Sequence, residues 1–193
     1  MSSPGPEQIT GVVLAGGQSR RMNGVNKALL LHSSKPLFQY AVENLSTCCN
    51  DVLVNASRDR AAFEELGFAV FDDGDFADCG PVAGIHASLA RASTSFVAFA
   101  ACDQLALPAK VYETLASHVS DNRGVYACGT EDVVPTCAIL PTGLLSVARS
   151  ALQSNELALM TFMRAHAQAI QFDDVEFANL NFRHQFRHQV EPK

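Results

Sequence analysis

The sequence has 193 residues, the length of one ordinary domain, and is 48% hydrophobic and 18% charged. A chain of that size and balance buries enough surface to fold without disulfide or metal staples, and disordered, coiled-coil and collagen-like classes are excluded. Twenty acidic against fourteen basic residues give a net charge of −6, so no overall field draws the protein to nucleic acid or to an anionic membrane.

No stretch approaches the length of a membrane span, and the opening MSSPGPEQIT has neither a basic n-region nor an apolar h-region, so a soluble, cytoplasmic protein is expected. Six cysteines without a CxxC pair point to reduced thiols and away from a zinc site. His184 and His188 stand at i, i+4, but no Glu lies between them, which reads as a solvated tail helix and not HExxH.

In chain order, short apolar runs alternate with amphipathic stretches, the pattern of an α/β protein with a mainly parallel sheet. A first strand, Ile9 to Ala15, ends in a Gly-rich basic stretch. Pro36 then takes the first position of a helix whose Leu37, Phe38, Ala41, Val42 and Leu45 form one stripe. A strand over Asp51 to Ala56, a helix from Arg58 to Leu66 and a strand at Ala69 to Phe71 follow. Pro81 opens a further helix with Val82, Ile85, Leu89 and Ala92 on one face. Phe96 to Cys102 is a continuous apolar run, as expected of a strand buried on both faces, and it stops at Asp103. Pro108 begins the next helix. Strands at Val125 to Cys128 and Val134 to Leu140, helices over Leu144 to Leu152 and Leu157 to Arg164, and a strand near Ile170 complete the pattern.

Ligands of open parallel sheets bind at the carboxyl ends of the strands, and three such places carry chemistry. The first is Leu14-Ala15-Gly16-Gly17-Gln18-Ser19-Arg20-Arg21-Met22, followed by Lys27. Adjacent glycines let backbone N–H groups approach a phosphate while Arg20, Arg21 and Lys27 supply neutralising charge; a purely structural turn is the alternative. The loop is neither a Walker A motif nor the GxGxxG of dinucleotide folds. The second is Asp103, placed to hold Mg²⁺ between phosphates or, alternatively, to cap a helix. The third is Asp72-Asp73-Gly74-Asp75 with Asp78, ahead of Cys79-Gly80-Pro81-Val82-Ala83-Gly84; most of these carboxylates read as solvated loop residues.

Taken together, Leu14 to Lys27 resembles the LAGGxSxRMGxxK signature of molybdenum cofactor guanylyltransferases, within the nucleotidyltransferases of glycosyltransferase-A-like Rossmann fold. The resemblance continues through Lys35-Pro36-Leu37, Val54-Asn55-Ala56, Gly80 to Gly84, Cys102-Asp103 and Pro135-Thr136. The LAGG form leans towards guanylyl transfer over the LAAG of related enzymes. It implies a three-layer α/β fold with a mainly parallel central sheet, spanning residues 1–193 as one nucleotidyltransferase domain with flexible termini at 1–7 and 188–193. It also implies that GTP donates GMP to the terminal phosphate of molybdopterin, that pyrophosphate leaves, and that Mg²⁺ is required. By the same resemblance, Leu14, Ala15, Gly16 and Gly17 line the nucleotide, and Arg21 and Lys27 stabilise charge on the triphosphate. Asp103 holds the metal, and Asn55 and Asp73 contact the guanosine. The partners implied are GTP, the molybdopterin cofactor, and molybdenum-insertion or molybdoenzyme chaperone proteins, with no nucleic acid and no membrane.

The sequence departs from the family pattern in places. Asn23 and Asn26 stand where Gly and Asp are usual, Leu157 and Ala158 where Arg is usual, and an NxNTPED-like segment survives only as Asn179-Leu180-Asn181. The donor half therefore follows the pattern more closely than the acceptor half, where Arg149, Arg164 and Arg183 are the nearby cations and Arg164 is the best placed. Two other readings stay open: a nucleotidyltransferase of the same fold with another base or acceptor, such as a cytidylyl or sugar-phosphate enzyme, and a nucleotide-binding partner without catalysis.

Overall fold

The computed structural model of the protein describes residues 3–16 and 26–177. A 3-10 turn at Pro6–Gln8 leads into β1 (Ile9–Leu14). A small hairpin of β2 (Leu31–His32) and β3 (Lys35–Pro36) then delivers the chain to α1 (Leu37–Leu45). Next come β4 (Asp51–Asn55), α2 (Arg60–Glu65), β5 (Val70–Phe71), α3 (Pro81–Arg91) and β6 (Phe96–Ala101). The chain continues through α4 (Lys110–His118), β7 (Gly124–Cys128), β8 (Val133–Pro141), α5 (Leu145–Gln153), α6 (Leu159–His166) and β9 (Ala167–Gln171).

Seven strands form one sheet in the order β5-β4-β1-β6-β8-β7-β9. β1 lies between β4 and β6 and is parallel to both, β5 extends that run, and β7 and β9 are also parallel. Among the described strands of this sheet, only β8 runs against its neighbours. The reason is local: β7 and β8 are joined by a tight turn in which the Gly129 N–H donates to the Asp132 carbonyl at 2.7 Å, and a hairpin connection permits only antiparallel pairing.

Both faces of the sheet are covered, and the strands read accordingly. Along β6, Phe96, Ala98 and Ala100 face a cluster with Phe38, Phe63, Val111 and Leu115, while Val97 and Phe99 face Val82, Ile85, Ala148 and Phe162 on the other side. The alternation of side chains along a strand thus feeds two cores, as expected of a continuous apolar run. Tyr112 fastens α4 to the sheet by donating its hydroxyl to the Phe99 carbonyl at 2.7 Å. Phe38 meets Phe63 edge-on at 5.0 Å and Phe68 at 5.3 Å, so one ring anchors α1 against α2 and the segment after it. Phe63 is fully buried, and Phe63→Ala is expected to cost about 3 to 5 kcal/mol, measurable as a lower denaturant midpoint.

Several boundaries differ from the sequence expectation. Pro36 closes β3 and precedes the helix, because a two-strand hairpin intervenes; its turn residues Ser33 and Ser34 both have positive φ, 50° and 64°, the geometry usually marked by Asn-Gly. The helix expected from Arg58 begins only at Arg60, since Asp59 adopts a left-handed φ of 54°. Pro108 stands two residues before α4, and the helix expected from Leu157 starts at Leu159 and runs on to His166. Gly17, Arg21, Asn23, the 179–181 segment, Arg183, His184 and His188 lie outside the described residues.

Candidate active site

The register of the parallel strands assembles the site. Leu14 pairs with Asn55 on one side and Ala101 on the other, and Asn55 pairs with Phe71, so four strands end side by side. The ladder continues past them: Ala15 N–H donates to the Asn55 carbonyl at 2.9 Å, Ala56 N–H to Phe71 at 2.8 Å and Cys102 N–H to Leu14 at 3.2 Å. Gly16, Asp103 and, two residues beyond Phe71, Asp73 are therefore held at one rim. All three places singled out in the sequence converge there.

Asn55 and Asp73 form one unit. Asn55 is buried, and its Nδ2 donates to Asp73 Oδ1 at 2.9 Å. Burial pushes the Asp73 carboxyl above the ordinary carboxylate range; the Asn55 bond opposes the shift, while the charges of Asp72 and Asp78 add to it. Two glycines floor the same space. A Cβ on Gly16 would sit 3.4 Å from Asn55 Oδ1, and one on Gly84 would sit 2.9 Å from that oxygen, 3.3 Å from Leu14 Cδ2 and 3.7 Å from Asp73 Oδ1. Leu14, Gly16, Asn55, Asp73 and Gly84 thus share one small volume, which side chains at the two glycines would fill.

The second unit is ionic. Lys27 Nζ lies 2.6 Å from Asp103 Oδ2, with each side chain 20% exposed. Lys27 opens a 3-10 turn (Lys27–Leu29) capped by Asn26, whose Oδ1 accepts the Ala28 N–H at 3.1 Å while its Nδ2 donates to Asp59 Oδ2 at 3.0 Å. That double role accounts for Asn at this position. An Asp could cap the turn equally well but would set a second carboxylate against Asp59. Asn26→Asp is expected to cost about 0.5 to 1 kcal/mol, the scale of an exposed like-charge contact, and Asp59→Asn in the same chain should restore the loss in thermal melts. Asp103 lies in the turn after β6 and heads no helix, since α4 begins only at Lys110; the cap reading of Asp103 falls away. Beside it, burial and then the Asp103 charge push the Cys102 thiol up to about 12, so it stays neutral.

Among the described residues no group of three or more His, Cys, Asp or Glu side chains could hold a metal. Asp103 offers one carboxylate, which suits a hard cation that draws its remaining oxygens from water and a polyphosphate, as Mg²⁺ commonly does. Near Gly80, on which a Cβ would lie 3.7 Å from the Leu157 carbonyl, an open cavity of about 380 Å³ is lined by Asn155, Glu156, Leu157, Ala158 and Thr161. Arg164, the favoured cation in the sequence, is exposed on α6 outside this lining. Arg149 is exposed on α5, and its charge contributes, after burial, to holding His86 below its ordinary value. The lining was signalled in sequence only by its departure from the family pattern.

Against known proteins, the family model described as the MobA-like NTP transferase domain matches residues 11–170. The molybdenum cofactor guanylyltransferase of Yersinia pseudotuberculosis serotype O:1b (strain IP 31758) is 38% identical over 176 residues, covering 90% of each chain. Among solved structures, molybdopterin-guanine dinucleotide biosynthesis protein A from Archaeoglobus fulgidus superposes with a TM-score of 0.65 at 20% identity, over 84% of this chain and 83% of that one. A Mycobacterium tuberculosis protein in complex with manganese gives 0.67 at 14% identity, over 93% and 96%. These two structures bear on the fold alone, which they share. The family match across most of the chain, together with the identity to the Yersinia enzyme, shows that the protein belongs to the MobA-like NTP transferase family.

Proposed function

We propose that the protein transfers GMP from GTP to the terminal phosphate of molybdopterin, releasing pyrophosphate and forming the guanine dinucleotide form of the molybdenum cofactor. The observation that carries the donor assignment is the Asn55–Asp73 pair over the Gly16–Gly84 floor. Guanine presents adjacent N–H donors, and a carboxylate oriented by a buried amide is a matched acceptor for them; cytosine and adenine lack that edge. In this reading Leu14, Ala15, Gly16 and Gly17 lie along the nucleoside, and Arg21 and Lys27 face the triphosphate.

Asp103 is the residue that would hold the divalent cation, for which Mg²⁺ is the proposed identity. When bound, the cation neutralises charge on the phosphates and on the departing pyrophosphate. The chain's own contribution is positioning: Asn55 and Asp73 orient the base, and Lys27 holds charge near the reacting phosphorus. No general base is required, because the attacking phosphate is already anionic. The acceptor is assigned to the cavity beside Gly80. Its described lining carries Glu156 and no cation, which supports a weak grip on free molybdopterin and delivery by a molybdenum-insertion or chaperone protein.

The test is product formation from labelled GTP, molybdopterin and Mg²⁺, run beside ATP and CTP. Guanine dinucleotide product with GTP as the preferred donor is the expected result; equal use of CTP would move the protein to the cytidylyl reading, and binding without product to the non-catalytic one.

A further inference from the structure

Gln104 immediately follows Asp103 and is 0% exposed, yet among the described residues neither Oε1 nor Nε2 of its carboxamide has a hydrogen-bond partner. Burying an amide with both ends unpaired is costly, and folded proteins give nearly all such groups a partner from the chain, water or a bound ligand. The neighbouring backbone is fastened on both sides. Gln104 N–H donates to the Ala101 carbonyl at 3.2 Å, closing the turn after β6. From α1, the buried Asn44 donates Nδ2 to the Leu105 carbonyl at 2.9 Å and accepts the Leu107 N–H on Oδ1 at 2.8 Å. With the backbone anchored, the carboxamide can meet a partner only by turning about its own side-chain bonds towards the Asp103 side as a ligand binds there.

A partner for both ends must bring a donor for Oε1 and an acceptor for Nε2. A hydrated divalent cation on a triphosphate brings both, since its water donates and its phosphate oxygens accept. We propose that Gln104 is a positioning residue of the nucleotide site, its carboxamide gaining hydrogen bonds to the cation's water and to the triphosphate when these bind beside Asp103. This rests on the nucleotidyltransferase reading above.

The experiment compares the parent with Gln104→Met, which keeps the length and removes the amide. Melting temperature is recorded without ligand and with Mn²⁺ and GTP, and GTP affinity in Mn²⁺ is measured by calorimetry. The expected result is a free protein that melts higher than the parent, a smaller shift on adding Mn²⁺ and GTP, and an affinity about tenfold or more weaker, with KM for GTP raised more than kcat falls. Parent-like affinity and ligand-induced shift in Gln104→Met would overturn the proposal, whatever its melting temperature. If Gln104→Met does not fold, Gln104→Asn, which withdraws the amide by one methylene, is read on the same two quantities. The parent's own shift reports separately on the underlying reading: a parent that gains no stability from Mn²⁺ and GTP defeats the nucleotidyltransferase assignment, whereas a responsive parent beside an equally responsive variant defeats only the role of Gln104.

Discussion

Lys27→Met is expected to bind a divalent cation roughly threefold to tenfold more tightly than the parent in the absence of nucleotide, and yet to lose about a hundredfold or more in transfer rate. The two effects have one cause. Without ligand, the Lys27 ammonium sits 2.6 Å from Asp103 Oδ2, so a cation arriving alone must displace it. A triphosphate offers Lys27 other anionic oxygens and thereby releases the carboxylate, which makes nucleotide and cation bind cooperatively. In Lys27→Met the carboxylate is free of that ion pair, but the charge needed on the phosphates is gone. Asp103→Asn should lose both cation binding and rate, and the double variant should be little worse than Asp103→Asn alone. Manganese titration followed by electron paramagnetic resonance, beside single-turnover rates, reads both quantities. A cation affinity unchanged or lowered in Lys27→Met would refute this competition.

Asp73→Asn should reduce the preference for GTP over ATP by tenfold to a hundredfold, because an amide in place of the carboxylate presents a donor where guanine also donates. The same change should raise thermal stability at neutral pH. Burial, first, and the charges of Asp72 and Asp78 raise the Asp73 carboxyl above its unfolded value, against the Asn55 bond. The folded state therefore favours the protonated form: the cost of the carboxylate is absent below the unfolded pKa and reaches its full size as pH rises through the folded one. The stabilisation by Asp73→Asn should accordingly be present near pH 7 and vanish towards roughly pH 3, below the ordinary carboxylate range. Melting curves across pH, with nucleotide competition at pH 7, test both halves. A variant less stable than the parent at neutral pH would show the carboxylate to be structurally useful there.

Much of this was legible in the sequence because it depends on strand periodicity. The Phe96 to Cys102 run announced a strand buried on both faces, and the rule that chemistry follows strand ends led to Gly16, Asp103 and the Asp72–Asp75 loop, while Asn55 and the role of Asp73 came from the family resemblance. What stayed hidden depends on partners far apart in the chain. Asn26 looked like a weakened family position until Asp59 appeared beside it, and Lys27 carried no sign that it would rest on Asp103. The hairpin before α1 escaped because its turn is Ser33-Ser34, residues with no strong preference for positive φ. Gln104 could not be noticed at all, since an orphaned amide is defined by surroundings that only the fold supplies. Arg164, chosen for its closeness in sequence to Phe162, stands exposed on α6, outside the lining of the cavity beside Gly80, which sequence spacing alone does not reveal.

The central place of β1 has a consequence for how the chain is made. It leaves the ribosome before the other described strands, yet one of its edges waits for Asp51–Asn55 and the other for Phe96–Ala101. A nascent chain halted before Ala101 exposes an apolar edge, the kind of surface that recruits chaperones or aggregates. Once Asp103 has emerged, every strand end at the nucleotide rim exists, whereas the lining of the cavity beside Gly80 still awaits Asn155 to Thr161. Synthesis therefore supplies the rim proposed for GTP before the cavity proposed for the acceptor, and a guanine nucleotide binding at that rim would stabilise the first while the second is still being translated.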